Sequence, residues 1–294
     1  MSQTWFVYGV PTLRRVIEDY RPFASASIGK IVFVSFGFCE RFSSSAFKAA
    51  QISARSKTRA FSSLGIVCEH MQLDPDCSLG MFEDVIGLVN KKEDVRAVIV
   101  QYPVPDHLLR VLSAVHESKD IDAVGGREGR YKICAAAEAA LRVAAALSPV
   151  GAITAVIGAK GRVGSDVVFG LRGVCDVLSI DKGDSLEAIN SATTVITAVG
   201  QPRLIRPEHI RSGPLSFIDL GIAVSDISFG GIRIDGDVCH STYPLLRSVT
   251  PVPGGIGPLH VATLIERFFS IAPSPTHGHP PPSWKVPTMP RNAL

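Results

Sequence analysis

Short runs of β-branched residues alternate along this chain with stretches whose apolar positions recur at helical spacing, the pattern of a parallel α/β architecture. A short helix over about Leu13 to Tyr20 leads to a strand at Ile31-Val32-Phe33-Val34. Apolar spacing then predicts a long helix from about Ser45 to Leu64, closed by Gly65, where a left-handed C-cap belongs. Val95 to Val100 reads as a second buried strand and runs into Gln101-Tyr102-Pro103-Val104-Pro105. An alanine-rich helix over Ala135 to Leu147 is ended by Pro149-Val150-Gly151.

Beyond that point the texture changes. Ala152 to Ile157 is a buried strand, a glycine loop follows, and a helix runs to about Arg172. Further strands are expected at Asp176–Ile180, Thr194–Val199 and Ser216–Leu220, which is βαβ repetition at the density of a dinucleotide-binding domain. The expected division is a first domain over 1–148, a nucleotide domain over 149–260, and a helix near 261–272 that returns to the first domain. Residues 273–294 form a tail in which seven of 22 residues are proline and no apolar period persists. That composition predicts a disordered or extended appendage.

Composition narrows the function classes. Of 294 residues, 46% are hydrophobic and 19% charged, with a mean hydropathy of +0.24, which excludes a mostly disordered chain. The net charge is only +3 and Lys and Arg form no basic run, so a nucleic-acid partner is not expected. The longest uncharged stretch, Val143 to Ala159, is broken by Ser148-Pro149-Val150-Gly151 and leaves no bilayer-length helix. Met1 to Phe6 lacks the basic start and apolar core of a signal peptide. Six scattered cysteines without a CxxC pair read as reduced thiols of a cytoplasmic protein, and no metal site is expected.

The loop Gly158-Ala159-Lys160-Gly161-Arg162-Val163-Gly164 sits between a strand and a helix. Gly158, Gly161 and Gly164 allow a tight turn and close backbone approach, and the helix start offers N–H groups and a positive dipole to a pyrophosphate. A plain strand-to-helix turn with packing glycines would look similar. Asp181 follows 23 residues after Gly158, at the end of the next strand. An acid there accepts ribose hydroxyls and repels a 2′-phosphate, which favours NAD slightly over NADP. Asp181-Lys182-Gly183-Asp184 is also a good turn, and Lys160, Arg162 or Lys182 offer a phosphate grip, so NADP stays open. Val199-Gly200 and Gly221-Ile222, at the ends of later strands, complete the candidate nucleotide set with Val163.

Val249-Thr250-Pro251-Val252-Pro253-Gly254-Gly255-Ile256-Gly257-Pro258-Leu259 is too specific for a generic loop. It closely resembles the signature of the methylenetetrahydrofolate dehydrogenase/cyclohydrolase family. Gln101-Tyr102-Pro103-Val104-Pro105, Lys119-Asp120-Ile121-Asp122, Ile218-Asp219-Leu220-Gly221-Ile222 and Gly236-Asp237-Val238 agree with other blocks of that family in order. The resemblance covers roughly residues 30 to 270. It implies a two-domain α/β fold, with an N-terminal α/β catalytic domain and a Rossmann-type NAD(P)-binding domain flanking a cleft. It also implies a homodimer formed through the nucleotide domain. The C1 unit of the folate would lie between a lysine of the first domain and the nicotinamide.

Counting back from Gly65-Ile66, the resemblance places Lys57 on that lysine, Gln101 on the residue that orients its amine, and Asp122 on the acid that grips the pterin ring. A lysine partly desolvated in a cleft has a lowered pKa and moves protons near neutral pH. Read without the resemblance, Lys57 is a solvated helix lysine. Ser53, Tyr102, Pro103, Pro253, Gly254, Gly255, Gly257, Pro258 and His260 fall on substrate-side positions.

This sequence also departs from the family. Ser53 stands where the family has tyrosine, Ala50 where it has serine, and Cys39 to Ala49 carries an inserted stretch of roughly two helical turns. Ala123 replaces a glycine, Ile133-Cys134-Ala135-Ala136 replaces Pro-Cys-Thr-Pro, and His260 replaces a threonine. Gly158-Ala159-Lys160 lacks an arginine associated with the NADP phosphate. These changes cluster on the substrate side. Three readings follow: an NAD(P)-dependent methylenetetrahydrofolate dehydrogenase with the cyclohydrolase step weak or lost, a redox enzyme for another iminium or cyclic amine, or a non-catalytic paralogue that binds nucleotide or folate.

Overall fold

In chain order the elements are β1 (Trp5–Phe6), α1 (Val10–Tyr20), β2 (Lys30–Phe36), α2 (Ser44–Ser63), β3 (Cys68–Leu73), α3 (Leu79–Lys91) and β4 (Val95–Val100). Then come α4 (Ala135–Leu147), β5 (Thr154–Ile157), α5 (Arg162–Leu171), β6 (Val177–Ile180), β7 (Thr194–Thr197) and β8 (Ser216–Asp219). A hairpin of β9 (Ala223–Ile227) and β10 (Gly231–Asp235), strand β11 (Ser248–Thr250) and helix α6 (Ile256–Ser270) follow among the described residues. The structure is a computed structural model and describes residues 3–24, 28–148, 151–211, 213, 215–227, 231–271 and 283–286.

Two compact units result. One comprises Leu13–Ala135 and Val261–Ser283, the other Met1–Thr12, Ala136–His260 and Trp284–Leu294. The division therefore falls at Ala135/Ala136, earlier than the expected 148, and the first residues belong with the nucleotide-side sheet. The reason is pairing: β1 lies parallel to β11, with Trp5 opposite Ser248 and Phe6 opposite Val249. A two-residue strand has too short a period to register in the hydrophobic pattern.

The unit containing Leu13–Ala135 is built on a parallel sheet of order β3-β2-β4. The central strand β2 and its neighbour β4 are Val/Ile-rich and largely buried on both faces, as strands of covered parallel sheets are. Val32, Val34, Phe82, Ile86, Val98, Val100 and Leu108 form the core of this unit. The C-terminal part of α6 belongs to the same unit. Arg96 of β4 donates to the Phe268 and Phe269 carbonyls and stacks over the Phe268 ring at 5.2 Å.

The other unit carries six parallel strands in the order β1-β11-β8-β7-β5-β6. Its core gathers Ala155, Ile157, Ile180, Val195, Phe217 and Val249. Part of the expected tail is corrected here. Trp284 and Val286 are buried, each 7% exposed, and the Arg142 guanidinium lies 4.8 Å from the Trp284 ring centroid. A single aromatic anchor is enough to pin residues that composition alone marks as solvent-exposed. Apart from 283–286, residues 273–294 lie outside the described residues.

All six cysteines are free. Among the described residues no helix is long and apolar enough to cross a membrane, and no group of His, Cys, Asp and Glu has the arrangement of a metal site.

Candidate functional site

Helix α2 sets the position of Lys57. Ser43 caps its start, accepting from the Ala46 amide at 3.5 Å. At its end Gly65 adopts φ +76°, and the amides of Gly65 and Ile66 return to the carbonyls of Ser62 and Phe61 at 2.9 and 3.1 Å. This double closure is a Schellman motif and matches the expected left-handed stop. With both ends fixed, Lys57 lies on the buried side and is only 2% exposed.

Its ammonium donates to Gln101 Oε1 at 3.0 Å. Gln101 follows directly on β4, its amide donates to the Val34 carbonyl at 2.8 Å, and its Nε2 donates to the Tyr102 carbonyl at 3.4 Å. The side-chain amide is thus turned with its oxygen toward the lysine. The Tyr102–Pro103 peptide is cis. Ser53 sits one turn before Lys57, half-buried, and its hydroxyl makes no hydrogen bond among the described residues. Beside the pair opens a cavity of about 500 Å³, lined in part by Gln101, Tyr102, Pro103 and Ala50.

Asp120 and Asp122 organise the loop after β4. Asp120 accepts from the amides of Asp122, Val124 and Gly125 at 3.2, 3.0 and 2.8 Å, and burial pushes its carboxyl above the usual range despite those donors. Asp122 Oδ1 accepts from the Ala135 amide at 3.0 Å, at the first residue of α4. Arg267 of α6 fixes the loop from behind. It donates to the carbonyls of Ile121 and Ile133, both at 2.9 Å, and lies 4.2 Å from the Tyr131 ring centroid.

In the other unit the glycine loop is tightly folded. Gly158 donates to the Ile180 carbonyl at 2.8 Å, and Gly161 donates back to the Gly158 carbonyl at 3.0 Å. A Cβ at Gly164 would stand 2.0 Å from the Gly158 carbonyl oxygen, so α5 closes on the loop only because that residue lacks a side chain. The amides of Val163 and Gly164 fall in the first turn of α5, where no intrahelical acceptor exists. Lys160, Arg162 and Gly161 stand at the same helix start. This cradle fits the pyrophosphate of a dinucleotide. Asp181 Oδ1 accepts from the Lys160 amide at 3.0 Å, tying loop to strand end, and the Asp181 amide donates to Asp184 Oδ2 at 2.8 Å. Oδ2 of Asp181 makes no hydrogen bond among the described residues, which leaves it to accept from a ligand.

Two buried carboxylates hold the remaining nucleotide-side loops, and sequence reasoning gave them no role. Asp237 accepts from the amides of Val199 and Gln201, both at 2.9 Å, and so pins the turn around Gly200. Asp219 Oδ1 accepts from the amides of Gly221 and Asp237 and from the Thr197 hydroxyl, at 2.9, 3.1 and 3.1 Å, and Oδ2 accepts from Val238. Both are withdrawn from solvent, at 1% and 0% exposure. Burial and mutual repulsion push the Asp219 carboxyl up to about 7 and raise that of Asp237 as well. A Cβ at Gly221 would meet the Asp237 carboxylate at 2.2 Å, so the glycine next to Ile222 makes room for the acid. The Asp-x-Gly and Gly-Asp-Val blocks were the available signal.

The final motif forms a turn from β11 into α6. The Val252–Pro253 peptide is cis, the Gly255 amide donates to the Pro251 carbonyl at 2.7 Å, and the Gly9 amide donates to Gly254 at 2.8 Å. Gly257 and Pro258 lie in the first turn of α6, with His260 half-buried just after. The structure thus brings Lys57 together with Gln101, sets Asp122 at the start of α4, and gathers the glycine loop with Asp181.

Two family descriptions match the chain: "tetrahydrofolate dehydrogenase/cyclohydrolase, catalytic domain" over residues 43–122, and the "NAD(P)-binding domain" of the same family over 135–274. The bifunctional protein FolD of Halobacterium salinarum is 30% identical over 250 residues, covering 78% of this chain and 84% of that protein. FolD 1 of Pseudomonas putida is 29% identical over 241 residues, covering 76% and 82%. The crystal structure of the Trypanosoma brucei methylenetetrahydrofolate dehydrogenase-cyclohydrolase, solved with NADP and an inhibitor, superposes with a TM-score of 0.78 at 21% identity, over 92% of this chain and 98% of that one. The dehydrogenase of the silkworm Bombyx mori gives 0.75 at 23% identity, over 91% and 97%.

Proposed function

The chain belongs to the tetrahydrofolate dehydrogenase/cyclohydrolase family, and on that premise we propose that it oxidises methylenetetrahydrofolate to methenyltetrahydrofolate with NAD(P). The observation that carries the reading is the bond from Lys57 Nζ to Gln101 Oε1, a buried amine held by a neutral acceptor at the end of a buried strand. When bound, the nicotinamide accepts the hydride that leaves the C1 carbon. The protein's contribution is placement. Val163, Gly164 and the Asp237-pinned turn hold the nucleotide end, while Gln101 and Asp122 orient the folate end.

Lys57 serves the second, water-adding step. Its amine assists attack on the methenyl cation and passes the proton on. In this chain Ser53 replaces the tyrosine that would share that task, and it has no hydrogen-bonded partner through which to relay a proton. Cyclohydrolase activity is therefore weak. NAD is preferred over NADP, because Asp181 Oδ2 is available to ribose hydroxyls and Ala159 supplies no positive charge for a 2′-phosphate.

Ser53 also favours a second reading. It is too short to stack on a pterin, so another iminium or cyclic amine is the alternative substrate. The test is to incubate the protein with methylenetetrahydrofolate and NAD or NADP, following absorbance of the methenyl product and of the reduced cofactor. Joint appearance supports the folate reading, and cofactor binding without turnover supports the alternative.

A further inference from the structure

Two buried carboxylates stand together behind the turns that end β7 and β8, and no cation compensates them. Neither Asp219 nor Asp237 enters an ion pair among the described residues. They interlock through glycine. A Cβ at Gly236 would meet Asp219 Oδ2 at 2.2 Å, and one at Gly221 would meet Asp237 Oδ1 at the same distance, so each acid fills the space that a glycine of the other's turn leaves. Their charge is met by dipoles alone. Asp219 accepts from the amides of Gly221, Asp237 and Val238 and from the Thr197 hydroxyl, and Asp237 from the amides of Val199 and Gln201. Such donors stabilise one buried negative charge, and a second beside it without a cation is costly. The Asp219 carboxyl accordingly keeps its proton up to about 7, through burial first and Asp237 second.

The surroundings supply no counter-charge. Tyr243, in the 3-10 helix His240–Leu245, interacts with Asp219, and burial pushes its phenol up to about 12, so it stays neutral. His240 lies against Tyr243, ring centroids 5.0 Å apart, with Nε2 at 3.1 Å from the Val252 carbonyl. β7 and β11 bring the hydroxyls of Thr197 and Thr250 and no charged residue. Arg203 and Arg233 are both committed to Asp235, at 2.9 Å. The Cys239 thiol meets the Ser241 hydroxyl at 3.1 Å, a bond that holds it below the usual range.

The sheet order says what would sense this charge. Asp181 ends β6 at one edge, and β7 and β8 lie on the far side of β5. A dinucleotide with its adenosine at Asp181 and its pyrophosphate at the β5 loop therefore brings its nicotinamide half to the ends of β7 and β8. The turns there present Val199 and Ile222 to solvent, 42% and 38% exposed, and Asp237 holds the first of them from behind. The oxidised nicotinamide ring is positively charged and the reduced ring is neutral, and a buried carboxylate pair feels that difference through poorly polarisable protein. We propose that Asp219 and Asp237 form a proton-linked site that distinguishes the two cofactor states: the pair releases its last proton to solvent when the oxidised form is bound and keeps it when the reduced form is bound. By linkage, rising pH then tightens the oxidised cofactor relative to the reduced one. The inference rests on the cofactor half of the proposed function and is independent of the folate half.

The experiment is calorimetric titration of the full-length protein with NAD and NADH, and with NADP and NADPH, from pH 5.5 to 8.5. Each titration is run in two buffers of different ionisation enthalpy, which counts the protons released without any turnover. Near pH 7 the oxidised form should release more protons than the reduced form. The ratio of reduced to oxidised Kd should rise by about fivefold across the range. Asp219→Asn should make the ratio independent of pH, whereas His240→Gln and Cys239→Ser should keep its rise. Equal proton release by both forms, a ratio indifferent to pH in the unmutated protein, or a rise that survives Asp219→Asn or vanishes in His240→Gln would overturn the proposal. Binding of both forms without that difference would leave the cofactor reading standing, and binding of neither form would overturn both.

Discussion

Lys57, on α2, and Gln101, at the end of β4, meet through one 3.0 Å hydrogen bond although 44 residues separate them. The amine is removed from solvent, and the proposed function gives it the proton-handling role in methenyl hydrolysis. Lys57→Met keeps bulk and removes that capacity. Hydrolysis of the methenyl compound, already slow for want of a tyrosine at Ser53, should fall by about a hundredfold, and oxidation by less than about tenfold. Both rates should be measured on both proteins. Hydrolysis that is rapid and indifferent to the substitution would show that Lys57 is not the proton-handling group.

On the proposed reading Asp181 sets cofactor choice, its carboxylate tying the loop at Lys160 through Oδ1 and leaving Oδ2 to ribose hydroxyls. Steady-state comparison should give a higher kcat/KM with NAD than with NADP. Asp181→Ala should reduce the ratio by about tenfold. A preference for NADP in the unmutated protein would assign the 2′-phosphate to Lys160, Arg162 or Lys182 instead.

The Asp219 carboxyl, raised to about 7 by burial and by Asp237, makes the folded state bind more protons than the unfolded chain between roughly pH 4 and 7. Stability from this group is therefore present at low pH and is lost as pH rises through that window, by on the order of a few kcal/mol. Melting temperature measured from pH 4.5 to 8 should carry this decline, and Asp219→Asn should flatten it. An Asn variant with an unchanged slope would assign the titration elsewhere.

Trp284 buries its ring against Arg142, itself paired with Glu138 one turn away. Trp284→Ala should lower stability by about 2 kcal/mol, read from urea unfolding. A loss below about 0.5 kcal/mol would mean that the aromatic contact contributes nothing in solution.

Local pattern made much of the fold legible. β4 and α4 stand at the predicted residues, because uninterrupted Val/Ile and Ala runs admit one reading. β3 was hidden: Cys68 to Leu73 reads Cys-Glu-His-Met-Gln-Leu, an edge strand half-open to solvent and poor in β-branched residues. β11, only three residues long, was hidden by its brevity. Lys57 was legible only through its spacing to Gly65-Ile66, since its burial depends on tertiary packing that no local window contains. The same holds for Asp219 and Asp237, each an ordinary acid in sequence, joined only because β8 and the turn after β10 converge.

Hydride transfer from the folate C1 carbon is tested most directly with methylenetetrahydrofolate dideuterated at that carbon. The protein is mixed with this compound and NAD, and the reduced cofactor is isolated for mass and proton spectra. The expected product carries one deuterium at nicotinamide C4, in equal amount to singly deuterated methenyltetrahydrofolate. Reduced cofactor without deuterium, or none above the level of a protein-free control with either NAD or NADP, would contradict the assignment.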